Sequence, residues 1–129
     1  MILFFAIMVY SVFVQIRFTG VLFVFGVLLF GLSAIGTIAA YTAYFKAPLN
    51  QLVREGVYRI SRNPIYVCVA GMMLGIALMC HSVIIAGITV LQFILQHGII
   101  LEEETYCRTI HGKDYLEYFE NVPRYLLFF

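Results

Sequence analysis

Charge is scarce in this chain. Asp, Glu, Lys and Arg make up 12% of its 129 residues, about half the usual share. The net charge is +1. A nucleic-acid footprint needs a concentrated basic patch, so that class of partner is excluded. Cysteine is also sparse: Cys68, Cys80 and Cys107 are odd in number and far apart, with no C-x-x-C among them. They read as packing thiols rather than a disulfide framework. No two histidines have metal-ligand spacing, so no metal site is expected. The N-terminal apolar run has no basic leader and no small-residue cleavage site. It reads as a retained helix, not a signal peptide.

What is abundant is apolar surface. Hydrophobic residues make up 63% of the chain, and the mean hydropathy is +0.97. A soluble domain of this size could not hide so much of it from water, so the expected solvent is lipid. Four apolar segments stand out, at residues 1–16, 21–45, 64–80 and 83–101. A spanning helix needs about 20 residues. The second and fourth segments meet that length, the third is slightly short, and the first is marginal. Backbone polar groups in lipid must be satisfied within the segment, so helices are expected. The alternation of a β-barrel strand is missing.

The expected fold is therefore all-α: a polytopic membrane protein of about four transmembrane helices in one domain. Residues 1–45 supply the N-terminal helices, and residues 46–129 the core that carries the chemistry. Seven of the eight basic residues fall in the 46–63 loop or the 102–129 tail, with Arg17 the exception. By the positive-inside rule that side is cytoplasmic, and both termini with it. All seven acidic residues fall there too, so the polar chemistry collects at one face.

Only His81 and Ser82 separate the third and fourth segments, which predicts a tight helical hairpin over 64–101. Asn63 and Pro64 read as N-cap and first helical residue, and Ser82 as the cap of the next helix. Gly71 and Gly75 form a G-x-x-x-G, which lets a neighbouring helix approach closely. The hairpin sets Arg62 and Asn63 beside Glu102, Glu103 and Glu104. Carboxylates at a helix C-terminus oppose the macrodipole and need an offsetting partner, either Arg62 or a bound cation. In the tail, Tyr115, Tyr118, Phe119 and Val122 follow helical spacing between charged residues. Gly112 reads as the break before that amphipathic helix and Pro123 as its end. The tail lies on the membrane or folds back as a lid over the Arg/Glu cluster.

"LVREGVYRISRNPIY" (52–66) and "EEETYCRTIHGKDYLEYFENVPR" (102–124) together resemble the isoprenylcysteine carboxyl methyltransferase and phospholipid methyltransferase superfamily. Gly56, Tyr58, Arg62, Asn63, Pro64 and Tyr66 match the first half of its pattern. Glu103, Glu104, Gly112, Tyr115, Tyr118, Val122 and Pro123 match the second. The sequence departs from the pattern at Cys107, His111 and Asn63, where many members have leucine, phenylalanine and histidine. A histidine's catalytic role therefore does not carry over to Asn63.

The resemblance implies an integral-membrane methyltransferase using S-adenosylmethionine, acting on a lipid or lipid-modified acceptor in the manner of an isoprenylcysteine carboxyl methyltransferase. The cofactor carries the hard chemistry, and the protein binds, aligns and excludes water. An amine or thiol acceptor needs a base; a carboxylate does not. On that reading Arg62, Asn63 and Glu104 are the catalytic candidates. Tyr58, Arg62, Tyr66, His97, Glu103 and Glu104 are the cofactor-binding candidates: Arg62 for the carboxylate, the glutamates for the ammonium or ribose, and the tyrosines for the adenine. His97 lies one turn inside the glutamates, where polar groups are costly and often functional. Structural roles compete with each of these. Arg62 would equally staple the hairpin to a glutamate, Tyr58 and Tyr66 would anchor at the interface, and Asn63 would cap a helix. Three other readings stay open: a non-catalytic membrane subunit that binds a partner through its charged face, an NADPH-dependent membrane reductase, and a truncated enzyme. The oligomeric state and the acceptor's identity are not legible.

Overall fold

The computed structural model describes residues 20–48 and 51–126, together with Ala6, Val9 and Tyr10. The expected helix over residues 1–16 lies outside the described residues apart from those three. The described residues are helical, with no strand. Helix α1 is Val21–Lys46 and helix α2 is Pro64–Met79, joined by a loop with a 3-10 turn at Gly56–Arg59. Helix α3 is Val83–His111 and helix α4 is Lys113–Asn121. Two of these, α1 and α3, are long and apolar enough to cross a membrane.

The burial pattern of α1 is inverted relative to a soluble helix. Its buried residues are the small ones, Gly26, Ser33 and Ala40, while Leu32, Ile35, Ile38 and Phe45 face outward. Outward aliphatic side chains suit lipid, and small inward ones let backbones touch. They touch against α2. A Cβ on Gly26 would lie 2.8 Å from the Gly75 carbonyl oxygen, and one on Gly75 would lie 2.9 Å from the Gly26 oxygen. Further along, Gly71 abuts Ser33, and Gly36 faces Cys68. The G-x-x-x-G of α2 is thus half of a close helix crossing, and α1 is the other half.

The hairpin forms as the sequence predicts. His81 adopts the left-handed conformation (φ 50°), and the Ser82 N–H donates to the Ala77 oxygen at 3.0 Å. A left-handed residue just past a helix end closes the last turn in this way. The Ser82 hydroxyl then caps α3 by accepting from the Ile85 N–H at 3.3 Å. Met73, Ile76, Ala77 and Cys80 of α2 form a small core with Ile85 of α3. Helix α2 is therefore central: the main packing of both α1 and α3 is against it.

Two expectations need correction. Helix α3 does not end near Leu101 but runs on to His111. Its 29 residues span about 43 Å at 1.5 Å per residue, more than the roughly 30 Å of a hydrocarbon core. Glu102, Glu103 and Glu104 are thus mid-helix, and the conflict with a helix C-terminus does not arise. Asn63 occupies the N-cap position with Pro64 following, but its side chain makes no capping hydrogen bond.

Candidate active site

Glu104 is the pivot of the charged cluster. It is buried on α3, 5% exposed. Arg124 grips it with both prongs of its guanidinium, Nε to Oε1 at 3.0 Å and Nη2 to Oε2 at 2.9 Å. Arg62 approaches from the α2 side, with Nη1 3.3 Å from Oε1. Asn63 Nδ2 donates to the same oxygen at 3.4 Å. A buried carboxylate is tolerated only when paired and hydrogen-bonded, and this one is held by three side chains. The hydrogen bond to Glu104 holds the Arg124 guanidinium above its ordinary range.

The tail is tied to the loop before α2. The Arg62 N–H donates to the Pro123 oxygen at 2.9 Å, and the Ser61 hydroxyl to the Arg124 oxygen at 3.1 Å. Asn63 Nδ2 adds a contact to the same Arg124 oxygen at 3.4 Å. The Asn63 side chain is thus held through its Nδ2 donor, and its oxygen makes no cap. Gly112 makes the return possible: its φ of 51° breaks α3 from α4 in a conformation that suits glycine. Helix α4 then buries Tyr115 and Tyr118. The Tyr118 hydroxyl donates to the Tyr58 carbonyl oxygen at 2.7 Å. Arg62 and Arg108 both stack on the Phe119 ring, 4.0 and 4.1 Å from its centroid. Arg54 donates to the Asp114 carbonyl oxygen.

Burial pushes the phenol of Tyr58 up to about 12, with smaller contributions from Tyr44, Tyr41 and Glu103. Burial likewise raises Tyr118. Tyr115 is raised by burial first and by the Glu104 charge second.

Beside this cluster lies a cleft of about 1110 Å³. Helix α2 supplies part of its wall through Val69 and Met72, α1 adds Thr37 and Tyr41, and α3 adds Gln96 and Ile99. Its polar end is lined by Tyr58, Arg62, Asn63, Tyr66, Glu103 and Glu104. The cleft is walled by residues from α1, α2 and α3. Six of the seven sequence-derived candidates thus meet on one cavity. The seventh, His97, is not among its lining residues; Nδ1 of its ring lies 2.6 Å from the Tyr125 hydroxyl.

One family model matches the chain, described as phospholipid methyltransferase, over residues 14–114. The chain belongs to the phospholipid methyltransferase family. Comparisons with curated proteins and with solved structures gave no significant match. The family match spans most of the chain, including α1, α2, α3 and the glutamates. Family membership makes this a methyltransferase scaffold associated with membranes, and the cleft is its candidate active site.

The arrangement has a chemical division of labour. Both oxygens of Glu104 are engaged by arginines, so its carboxylate organises the site rather than presenting a free acceptor. Glu103 is exposed, and the Tyr66 hydroxyl donates to its Oε1 at 2.8 Å. Arg62 keeps Nε without a partner, while its Nη1 is paired with the Glu104 carboxylate. Three features escaped the sequence reading. The grip of Arg124 on Glu104 is a contact across 20 residues that no local pattern encodes. The stacking of Phe119 between elements is equally non-local. Gln92 and Gln96 carry buried oxygens without partners, and two amides one turn apart in an apolar run were the available signal.

Proposed function

We propose that the protein is an S-adenosylmethionine-dependent methyltransferase acting on a lipid or lipid-modified acceptor at the cytoplasmic face of a membrane. Family membership supports the reaction class. The observation that carries the assignment to this cleft is its polarity gradient: partly unsatisfied charged groups at one end, apolar walls at the other. Ligand pockets are commonly about 300–1,000 Å³, so this cleft accommodates a nucleoside-sized cofactor together with part of an acceptor.

The residues fit the cofactor. Arg62, whose Nε has no partner while its Nη1 is paired with Glu104, suits its carboxylate. Glu103 suits its ammonium or ribose hydroxyls, and Tyr58 or Tyr66 its adenine. When bound, the cofactor supplies a methyl group activated by a positive sulfur. The chain's own task is positional. Glu104 and Phe119 fix the Arg62 guanidinium, Tyr66 orients Glu103, and the 122–124 strap is bonded to the loop that carries Arg62. An acceptor dissolved in the bilayer enters along the apolar wall and meets the polar end in a fixed orientation, which is a proximity effect.

The test is to incubate membranes containing the protein with methyl-labelled S-adenosylmethionine and extract lipid. Label in a lipid or lipid-modified product, lost on Arg62→Ala, supports the reading. Absence of label together with retention of a nicotinamide nucleotide would favour a reductase instead.

A further inference from the structure

Gln92 and Gln96 occupy a place where polar groups are costly. Gln92 stands at the middle of the apolar stretch 83–101, is 5% exposed, and lines the cleft. Gln96 lines the same cleft one helical turn later. The side-chain oxygen of each is buried and has no hydrogen-bond partner. A polar side chain in a membrane helix ordinarily bonds across to a neighbouring helix. Here no neighbour among the described residues supplies that bond to either oxygen. Thr37, on the α1 wall, spends its hydroxyl on the Ser33 carbonyl and the Met72 sulfur. An unpaired buried amide oxygen is unfavourable, and two of them on one cavity wall call for a donor beyond the described residues.

We propose that Gln92 and Gln96 form an amide subsite that binds the uncharged, hydrogen-bonding head of an amphiphile, such as a hydroxyl or amide on a long apolar body. The depth argues for an uncharged head. The deep lining residues, Thr37, Val69, Met72, Gln92, Gln96 and Ile99, carry no charge. The charged residue of α3 nearest along the cleft, Glu103, lies seven positions beyond Gln96, about 10 Å along the helix axis. A charged head at Gln92 would be desolvated with no counter-ion. Two amides supply donors and acceptors together, which a hydroxyl or amide can satisfy. As the acceptor's subsite in methyl transfer, this inference rests on the function proposed above; the binding itself does not.

The probe is a photoreactive long-chain alkanol, compared with the same chain ending in a quaternary ammonium. Both are offered to the full chain in phosphatidylcholine nanodiscs without cofactor. Saturable labelling by the alkanol alone is expected. In the Gln92→Leu/Gln96→Leu double variant, half-saturation should rise about tenfold or more, as for loss of one or two hydrogen bonds. Thermal unfolding of the ligand-free variant should be unchanged or raised, because removing an unpartnered amide oxygen costs no bond; a clear fall would assign the glutamines to helix packing and overturn the proposal. Equal labelling of variant and wild type, equal labelling by the cationic chain, or no saturable labelling would also overturn it. Glutamine-dependent labelling without methyl transfer would keep the subsite and remove the methyltransferase reading.

Discussion

Helix α2 has two neighbours and treats them differently. Against α1 it offers Cys68, Gly71 and Gly75, and the backbones come into contact. Against α3 it offers Met73 and Ile76, and the buried apolar core between them sits at the hairpin end, while Tyr66 reaches Glu103 at the other. Beyond that core lies the cleft, lined by residues of α1, α2 and α3. Small residues at a four-residue spacing close a seam. Larger residues pack the hairpin end, and the cleft lies beyond them. The charged cluster then bridges the other end.

The largest expected effect comes from breaking that bridge. Glu104→Gln leaves the Arg62 and Arg124 guanidinium groups without their carboxylate in a buried setting, at a cost of about 3–5 kcal/mol. Thermal unfolding in detergent should show the loss, with the strap 122–124 released to protease. The seam comes next. Gly75→Val drives a side chain into the Gly26 oxygen and the Phe30 backbone, costing about 1–3 kcal/mol. Val69→Ile, adding volume on the cleft wall, should stay within about 0.5 kcal/mol. Equal costs at the two positions would erase the contrast between seam and cleft. Tyr118→Phe removes the bond to the Tyr58 carbonyl and should cost about 1 kcal/mol, read in the same unfolding assay.

The smallest effect is a pH dependence. The Tyr58 phenol is raised from 10.0 to about 12 in the folded protein. A raised acid resists ionisation when folded, so its contribution is fully present below pH 10 and is lost as pH rises through about 12. Stability measured across that window should fall less steeply in Tyr58→Phe. An identical slope would show that the phenol is not held in the buried setting described.

The legible parts of this molecule were the local ones. Ser82 as a cap, the two-residue hairpin, Gly112 as a break and the G-x-x-x-G approach all follow from short patterns. The meeting of Arg62 with Glu104 followed from the hairpin's geometry. The end of α3 was misread because hydropathy marks where a chain leaves lipid, not where a helix stops; residues 102–111 go on as helix outside the apolar stretch. Asn63 was misread because contacts of its Nδ2 donor to Glu104 and Arg124, 41 and 61 positions away, hold the side chain, and its oxygen makes no cap. The Arg124 grip, the diversion of His97 to Tyr125 and the partner of Gly71 and Gly75 depend on which elements meet, and spacing alone does not specify that.

The central claim is that the polar end of the cleft holds S-adenosylmethionine between Arg62 and Glu103. Equilibrium binding of labelled cofactor to the purified protein tests it most directly, with Glu103→Gln and Arg62→Ala beside the wild type. The account predicts saturable binding by the wild type, weakened about tenfold or more in each variant, as for loss of a charge-assisted hydrogen bond. Wild-type protein that binds no cofactor, or variants that bind it as tightly, would contradict the account.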